Sequence, residues 1–165
     1  MLALINTRRS VRKFETAPVS AQDLHDILEA GMNAPSAGNE QPWHFIVLQG
    51  EVLKKYLELN DNAPKGAPVG ILICGDPELE NFKGMNLYVV DCSAAAENML
   101  LAIHAKGLGS VWTAIFPHVA GKVRKLLNLP EQIMPFAFLP IGYPAVKPGS
   151  ATSRYNEARV HQNTW

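Results

Sequence analysis

Apolar residues recur along this chain at two periods, and the switch between them marks out its elements. Leu24, Ile27 and Leu28 share one face of a helix. Ser20 is placed to cap it, Asp23 puts negative charge in its first turn, Val19 and Leu24 have the spacing of a hydrophobic staple, and Gly31 is its expected end. Trp43 to Leu48 is continuously apolar or aromatic apart from His44 and reads as a strand stopped near Gly50. Glu51 to Leu59 is a short helix with Leu53, Tyr56 and Leu57 on one side. Val69 to Cys74 is a second strand, closed by Gly75, Asp76 and Pro77. From Tyr88 to Lys106 runs a long helix with almost no polar face, a pattern suited to an interior or a subunit interface, and Gly107 is its natural stop. Ser110 to Phe116 reads as a strand, Val119 to Leu127 as an amphipathic helix followed by Pro130, and Phe136 to Gly142 as a further strand.

From Tyr143 to Trp165 the period is lost. That segment has little means of folding on itself, so it is expected as an extended arm that covers its own domain or reaches across a second subunit. No repeat, linker or low-complexity block divides the chain, and residues 1–165 are expected to form one domain. Of its 165 residues, 47% are hydrophobic and 18% charged, the balance of a folded chain rather than a disordered one.

Charge narrows the partners. Fifteen basic residues meet fifteen acidic ones, so no overall field favours nucleic acid or an anionic membrane. Basic side chains do concentrate locally at Arg8, Arg9, Arg12 and Lys13, which suits a small anion. Cys74 and Cys92 lie in apolar stretches and share no short motif, as expected of core residues in a reducing compartment. The first residues lack the apolar run of a signal peptide, and no apolar span approaches the roughly 20 residues of a membrane helix. A cytoplasmic protein is expected.

Several standard chemistries lose their support. The five histidines are scattered without metal-ligand spacing, and a buried or capping role is expected for each. There is no Gly-x-Ser-x-Gly elbow and no GxxxxGK[ST] loop. Gly107-Leu108-Gly109 follows a helix rather than a strand, with Trp112 where a third glycine would be needed, so Gly107 reads as a helix stop and Gly109 as a tight turn.

Two segments remain. Thr7 to Phe14 offers Arg8, Arg9, Ser10 and Arg12 within a few residues. Guanidinium forks match phosphate oxygens, although a solvated basic turn has the same composition. Asn33 to Trp43 packs Pro35, Ser36, Ala37, Asn39, Gln41 and Pro42 between a helix and a strand. Such a loop can bring backbone and amide groups to a flat, hydrogen-bonding ring, or simply connect two elements.

Taken together and in this order, Arg-Arg-Ser-Val-Arg at 8–12 and Ala-Pro-Ser-Ala-Gly-Asn-Glu-Gln-Pro-Trp at 34–43 resemble the N-terminal signature of the nitroreductase family. The resemblance continues through the Ala-rich helix, Gly-Leu-Gly-Ser-Val-Trp at 107–112, Leu-Pro-Ile-Gly-Tyr-Pro at 139–144, and the basic stretch from Arg154 to His161 before Trp165. It implies an α+β fold: a mainly antiparallel central sheet flanked by helices, with the C-terminal arm 143–165 exchanged in a homodimer that holds flavin mononucleotide (FMN) at the subunit interface. It also implies cofactor-binding roles. Arg8, Arg9, Ser10, Arg12 and Arg154 would hold the phosphate and ribityl chain. Pro35, Ser36, Ala37, Asn39 and Gln41 would approach the flavin, with the 35–39 loop coming from the partner. Trp112, Thr113 and Ala114 would pass beside the ring; the family often has Gly where Ala114 stands.

The activity so implied is transfer of a hydride from NADH or NADPH, through flavin N5, to a small acceptor such as a nitroaromatic or quinone in a ping-pong cycle. With FMN carrying the chemistry, no side chain is assigned as catalytic and no metal is expected. Dehalogenation or flavin destruction on the same scaffold ranks lower, because the segment between Gly75 and Tyr88 is short for a lid. A non-catalytic FMN store or redox sensor, and a cofactor-free interaction module built on the basic turn, are the readings from other classes.

Overall fold

The computed structural model describes residues 2–150 and 152–165. Its helices are α1 (Leu2–Thr7), α2 (Ala21–Met32), α3 (Gly50–Leu59), α4 (Leu87–Ala105) and α5 (Pro117–Leu127). Its strands are β1 (Trp43–Gln49), β2 (Val69–Gly75), β3 (Gly109–Ser110), β4 (Thr113–Ala114) and β5 (Met134–Gly142). The strands form a 5-stranded antiparallel sheet in the order β1-β2-β5-β3, with β4 also on β5.

The central strand β2 is buried along its whole length, because helices cover both faces of the sheet. Its alternate side chains therefore enter different cores. Val69, Ile71 and Ile73 join Leu139 and Ile141 against α2 and α4. Leu72 and Cys74 join Phe138 against Leu53, Tyr56 and Leu57 of α3 and Val119 and Val123 of α5. The two faces account for the α+β sandwich expected above. Cys74 and Cys92 are both buried and free, as expected of core residues, and burial pushes each thiol up to about 12.

Helix α2 starts as its sequence predicts, with the Asp23 N–H donating to Ser20 Oγ at 3.0 Å. It does not end at Gly31. That glycine lies inside the helix, where an added Cβ would come within 2.9 Å of the Met99 side chain, so it serves close packing against α4. Gly107 does stop α4, at φ +73°. Gly109 is likewise a close-approach position rather than a tight turn: a Cβ there would meet Val11 at 2.7 Å. The strand expected over 110–116 is two short pieces, β3 and β4. They share one register on β5, and the gap at Val111 and Trp112 lies opposite Pro140 and Leu139. Proline has no N–H, and the β2–β5 ladder runs unbroken past Pro140, so the missing donor interrupts the other edge.

Helix α1 has no counterpart in the sequence pattern, being six residues long with exposed Leu2 and Ile5. None of the five histidines is buried: His25, His44, His118 and His161 are exposed and His104 is half-buried, in the last turn of α4. Every described residue from Ala145 to Trp165 is exposed, and apart from a short 3₁₀ turn at Glu157–Arg159 the arm has no regular structure.

The tightest point in the core is Gly70, where a Cβ would fall 2.1 Å from Phe138 Cζ, a ring packed against Tyr56 at a 41° tilt with centroids 4.3 Å apart. Gly70→Ala is expected to destabilise the fold by about 2–3 kcal/mol through overpacking. Gly121→Ala, in open space within α5, should instead stabilise by roughly 0.5–1 kcal/mol. Thermal melts of the two variants, moving in opposite directions, check this.

Candidate functional site

The basic segment is held to the sheet by its backbone. Residue Ser10 bridges Ser110 of β3 in parallel sense, and the Val11 N–H donates to Ser110 O at 2.8 Å. Further on, Glu15 N–H donates to Tyr143 O (2.9 Å) and Ala145 N–H to Lys13 O (3.0 Å), so the segment lies between the sheet edge and the start of the arm. Val11 is buried beneath it, and Arg12 and Lys13 are exposed. At its N-terminal end, Thr7 Oγ1 donates to Ala3 O at 2.7 Å and meets His104 Nε2 of α4 at 2.9 Å. A fixed backbone thus presents a row of cationic side chains.

Those cations converge with one from the far end of the chain. Arg8, Arg9, Ser10, Arg12 and Arg154 line one open cavity of about 440 Å³, together with Pro148 and Gly149. A neighbouring cavity shares Arg8, Arg9 and Arg154 and adds Glu97. Among the described residues the sole ion pair made by these arginines is Arg8 Nε to Glu97 Oε1, at 3.5 Å. Behind them Ser110 Oγ is buried without a hydrogen-bond partner, in a smaller cavity lined also by Arg8, Arg9 and His104. Several guanidiniums, one exposed hydroxyl and a single counter-charge make a donor set that fits a phosphate monoester.

The second segment sits elsewhere on α4. Residues 35–41 line none of the cavities around Arg8. Ala37–Asn39 forms a 3₁₀ turn, and Gly38, Asn39 and Gln41 all have φ between +51° and +57°. The loop is tied by Gln41 N–H to Ser36 Oγ (3.1 Å) and Gln41 Nε2 to Asn39 Oδ1 (3.0 Å). Pro35 and the 38–39 turn are exposed.

At the edge of the sheet, Trp112 packs edge-on against Phe136 (5.6 Å, 73°) and stays partly exposed. Thr113 is buried and its hydroxyl donates to Phe138 O at 2.7 Å, which leaves only its backbone to meet a ligand. Ala114 is exposed, and its carbonyl accepts from Asn60 Nδ2 at 3.4 Å. The structure therefore unites the arginines with Ser10 and leaves the 35–41 loop and the 112–114 edge apart from them.

Sequence reasoning passed over Asp91, Glu97, Asn60 and Ser110. Asp91 and Glu97 had a signal, being the acids within a helix that is otherwise small and apolar. Asn60 and Ser110 had none, since only the fold shows that they are buried. On α2, His25, Asp26 and Glu29 bring ligand atoms within 4.8 Å of one another. Asp26 there is already engaged by Lys106 at 2.5 Å, which, with Gln22, holds its carboxyl below the usual range. Among the described residues no helix is long and apolar enough to cross a membrane.

With this geometry in place, comparison with known proteins is direct. The Nitroreductase family profile matches residues 5–60 and 56–143. A Methanothermobacter thermautotrophicus protein named "Putative NADH dehydrogenase/NAD(P)H nitroreductase" is 42% identical over 171 residues, covering 100% of this chain and 87% of its own. A crystal structure of the same name from Parabacteroides distasonis has 37% identity and a TM-score of 0.90, covering 99% of this chain and 98% of its own. A Desulfovibrio desulfuricans protein solved in complex with FMN has 31% identity and a TM-score of 0.87, covering 99% and 96%. The antiparallel sheet, the arginine pocket and these matches agree: the chain belongs to the nitroreductase family.

Proposed function

We propose that this protein is an FMN-dependent oxidoreductase that takes electrons from NADH or NADPH and passes them to a small acceptor. The observation that carries the reading is the convergence of Arg8, Ser10, Arg12 and Arg154 on one open cavity, with Glu97 the only acid among the described residues that line it and its neighbour. Such a pocket matches the phosphate of FMN in charge and in donor geometry. Support also comes from the NAD(P)H nitroreductase name of the Methanothermobacter relative and the FMN bound to the Desulfovibrio structure.

With FMN bound there, the cofactor would supply the redox chemistry between NADH or NADPH and a nitroaromatic or quinone that follows it in a ping-pong cycle. The chain's own residues bind and orient. Arg8, Arg9, Ser10, Arg12 and Arg154 neutralise the phosphate end. The main chain of Trp112, Thr113 and Ala114 borders the ring. Residues Pro35, Ser36, Ala37, Asn39 and Gln41 reach the flavin of a second copy, because on one chain they stand apart from the arginines. A homodimer also covers the outward apolar residues Val89 and Val90 of α4 with Leu2, Ile5 and Phe116, and gives the 143–165 arm a surface to cross. The chain acts as one domain of the cytoplasm. Both thiols, held up to about 12 by burial, are poor nucleophiles and stand outside the chemistry.

Two outcomes are expected. The purified protein, loaded with FMN without air, should show a flavin spectrum that NADH or NADPH bleaches and a quinone restores; a spectrum that neither nucleotide bleaches would instead mark a store or sensor. Arg8→Ala should raise the FMN Kd by about 10- to 100-fold, the equivalent of losing a charge-assisted contact worth roughly 1.5–3 kcal/mol. An unchanged Kd by flavin fluorescence titration would take Arg8 out of the site.

A further inference from the structure

The 35–41 loop holds an unfavourable shape. Gly38 takes its positive φ freely, but Asn39 (+57°) and Gln41 (+51°) do so against steric cost, which is larger for Gln than for Asn. A surface loop with successive left-handed residues keeps that shape only where its surroundings over-determine it. Its internal bonds, Gln41 to Ser36 and to Asn39, join loop to loop and cannot fix it to the body. Two contacts do. The Ala37 N–H donates to Asp91 Oδ1 at 3.0 Å, and Glu40 Oε1 accepts from Asn81 N–H at 2.8 Å.

Of these, Asp91 is the one rooted in the core. It sits in the first half of α4 beside Cys92, is 3% exposed, and its Oδ2 has no hydrogen-bond partner. The neighbouring acids are Glu40, whose Oε2 is also buried and unpartnered, and Glu80, buried and accepting from Tyr88 N–H at 2.6 Å. No cation faces Asp91 among the described salt bridges. Burial first, and then these acids, push its carboxyl above the usual range, with the Ala37 N–H opposing them. A buried carboxylate so placed costs stability, and its unpartnered Oδ2 makes no bond that offsets the cost.

We infer that Asp91 is a positioning residue that latches the 35–41 loop, through the Ala37 amide, in the shape that receives the flavin. This rests on the FMN reading above. Asp91 touches no reacting atom in this scheme; it fixes the backbone from which Ser36, Ala37, Asn39 and Gln41 are presented.

The geometry makes the latch separable from the fold. Asp91→Ala removes the acceptor. Asp91→Asn keeps an acceptor for the Ala37 N–H and sheds the buried charge. Ala37→Pro removes the donor from the other side, and Ser36 already has the extended conformation (φ −139°, ψ 154°) that a following proline requires. Asp91→Ala should weaken FMN binding about tenfold, the order expected for a lost charge-assisted hydrogen bond. Asp91→Asn should restore near wild-type affinity while melting higher than the wild type. Asp91→Ala combined with Ala37→Pro should be no worse than the weaker single variant, because both delete one interaction. In the FMN-free protein, amide exchange across residues 38–41 should accelerate in Asp91→Ala, with exchange in β2 unchanged.

Wild-type affinity in Asp91→Ala would overturn the latch and leave the FMN reading intact. Additive losses in the double variant, or loop exchange unmoved by Asp91→Ala, would overturn it as well. Exchange is read without cofactor, so it decides the latch even if the wild type binds no FMN, the result that sinks the functional reading itself. Should Asp91→Ala fail to fold, the Asp91→Asn and Ala37→Pro pair carries the test: equal FMN affinities in those two variants would contradict the latch.

Discussion

The structure depends on the packing of α4 against the sheet. Cys92, Ala95, Ala96, Met99 and Ile103 are buried on one side of that helix, and small residues at this seam let it lie close to β2, β5 and α2. The contact is tight enough that α2 needs Gly31 where Met99 crosses it, and β2 needs Gly75 where Tyr88 and Cys92 approach. Such interdigitated cores tolerate little change in volume, so the packing holds the helix closely in place. Both segments proposed to hold the cofactor are fastened to it. Asp91 holds the 35–41 loop near one end, and Glu97 and His104 meet Arg8 and Thr7 further along. From Asp91 to Glu97 the helix rises about 9 Å, and from Asp91 to His104 about 20 Å.

That arrangement divides the labour between charge and shape. At the arginine end the backbone is fixed by bridges to Ser110 and Pro144 while the guanidiniums remain largely free, which suits capture of a small dianion from water. At the loop end side chains matter less than backbone direction, and the fold spends stability there: left-handed residues on the surface, and buried carboxylates with unpartnered oxygens beneath them. Strain and unsatisfied polar groups thus coincide in the same few residues, the combination that the proposed latch accounts for.

Much of this was legible in the residues. The Ser20 cap, the two faces of Val69 to Cys74, and the apolar length of α4 follow from capping chemistry and hydrophobic period alone, and the arginine and Pro-Ser-Asn-Gln motifs named the family. What escaped depended on tertiary partners. Gly31 looks like a stop signal because glycine ends helices, yet the approach of Met99 decides its role. The break between β3 and β4 is caused by Pro140 on another strand, some thirty residues away and invisible to any local window. Of the histidines expected in buried or capping roles, four are exposed and His104 is half-buried in the last turn of α4, and α1 is too short for periodicity to register. Within the site, Arg154 could be joined to Arg8 only by resemblance until the fold brought them to one cavity. Asp91 was visible as an odd acid in an apolar helix, but its purpose required the Ala37 amide beside it.

The central claim is that one chain carries both halves of the flavin site yet completes neither alone. Co-assembly of two variants tests it most directly. One would lack the phosphate end (Arg8→Ala with Arg154→Ala), and the other would carry Asn39→Pro, which no left-handed residue can become without remodelling the loop. Each alone should hold little FMN. Unfolded and refolded together in equal amounts, they should recover flavin in about a quarter of all sites, since half of a random mixture of dimers pairs one variant with the other and each such pair rebuilds one intact site. No recovery, with the mixed dimers shown to form, would mean that both halves serve the same flavin within one chain, contrary to this account.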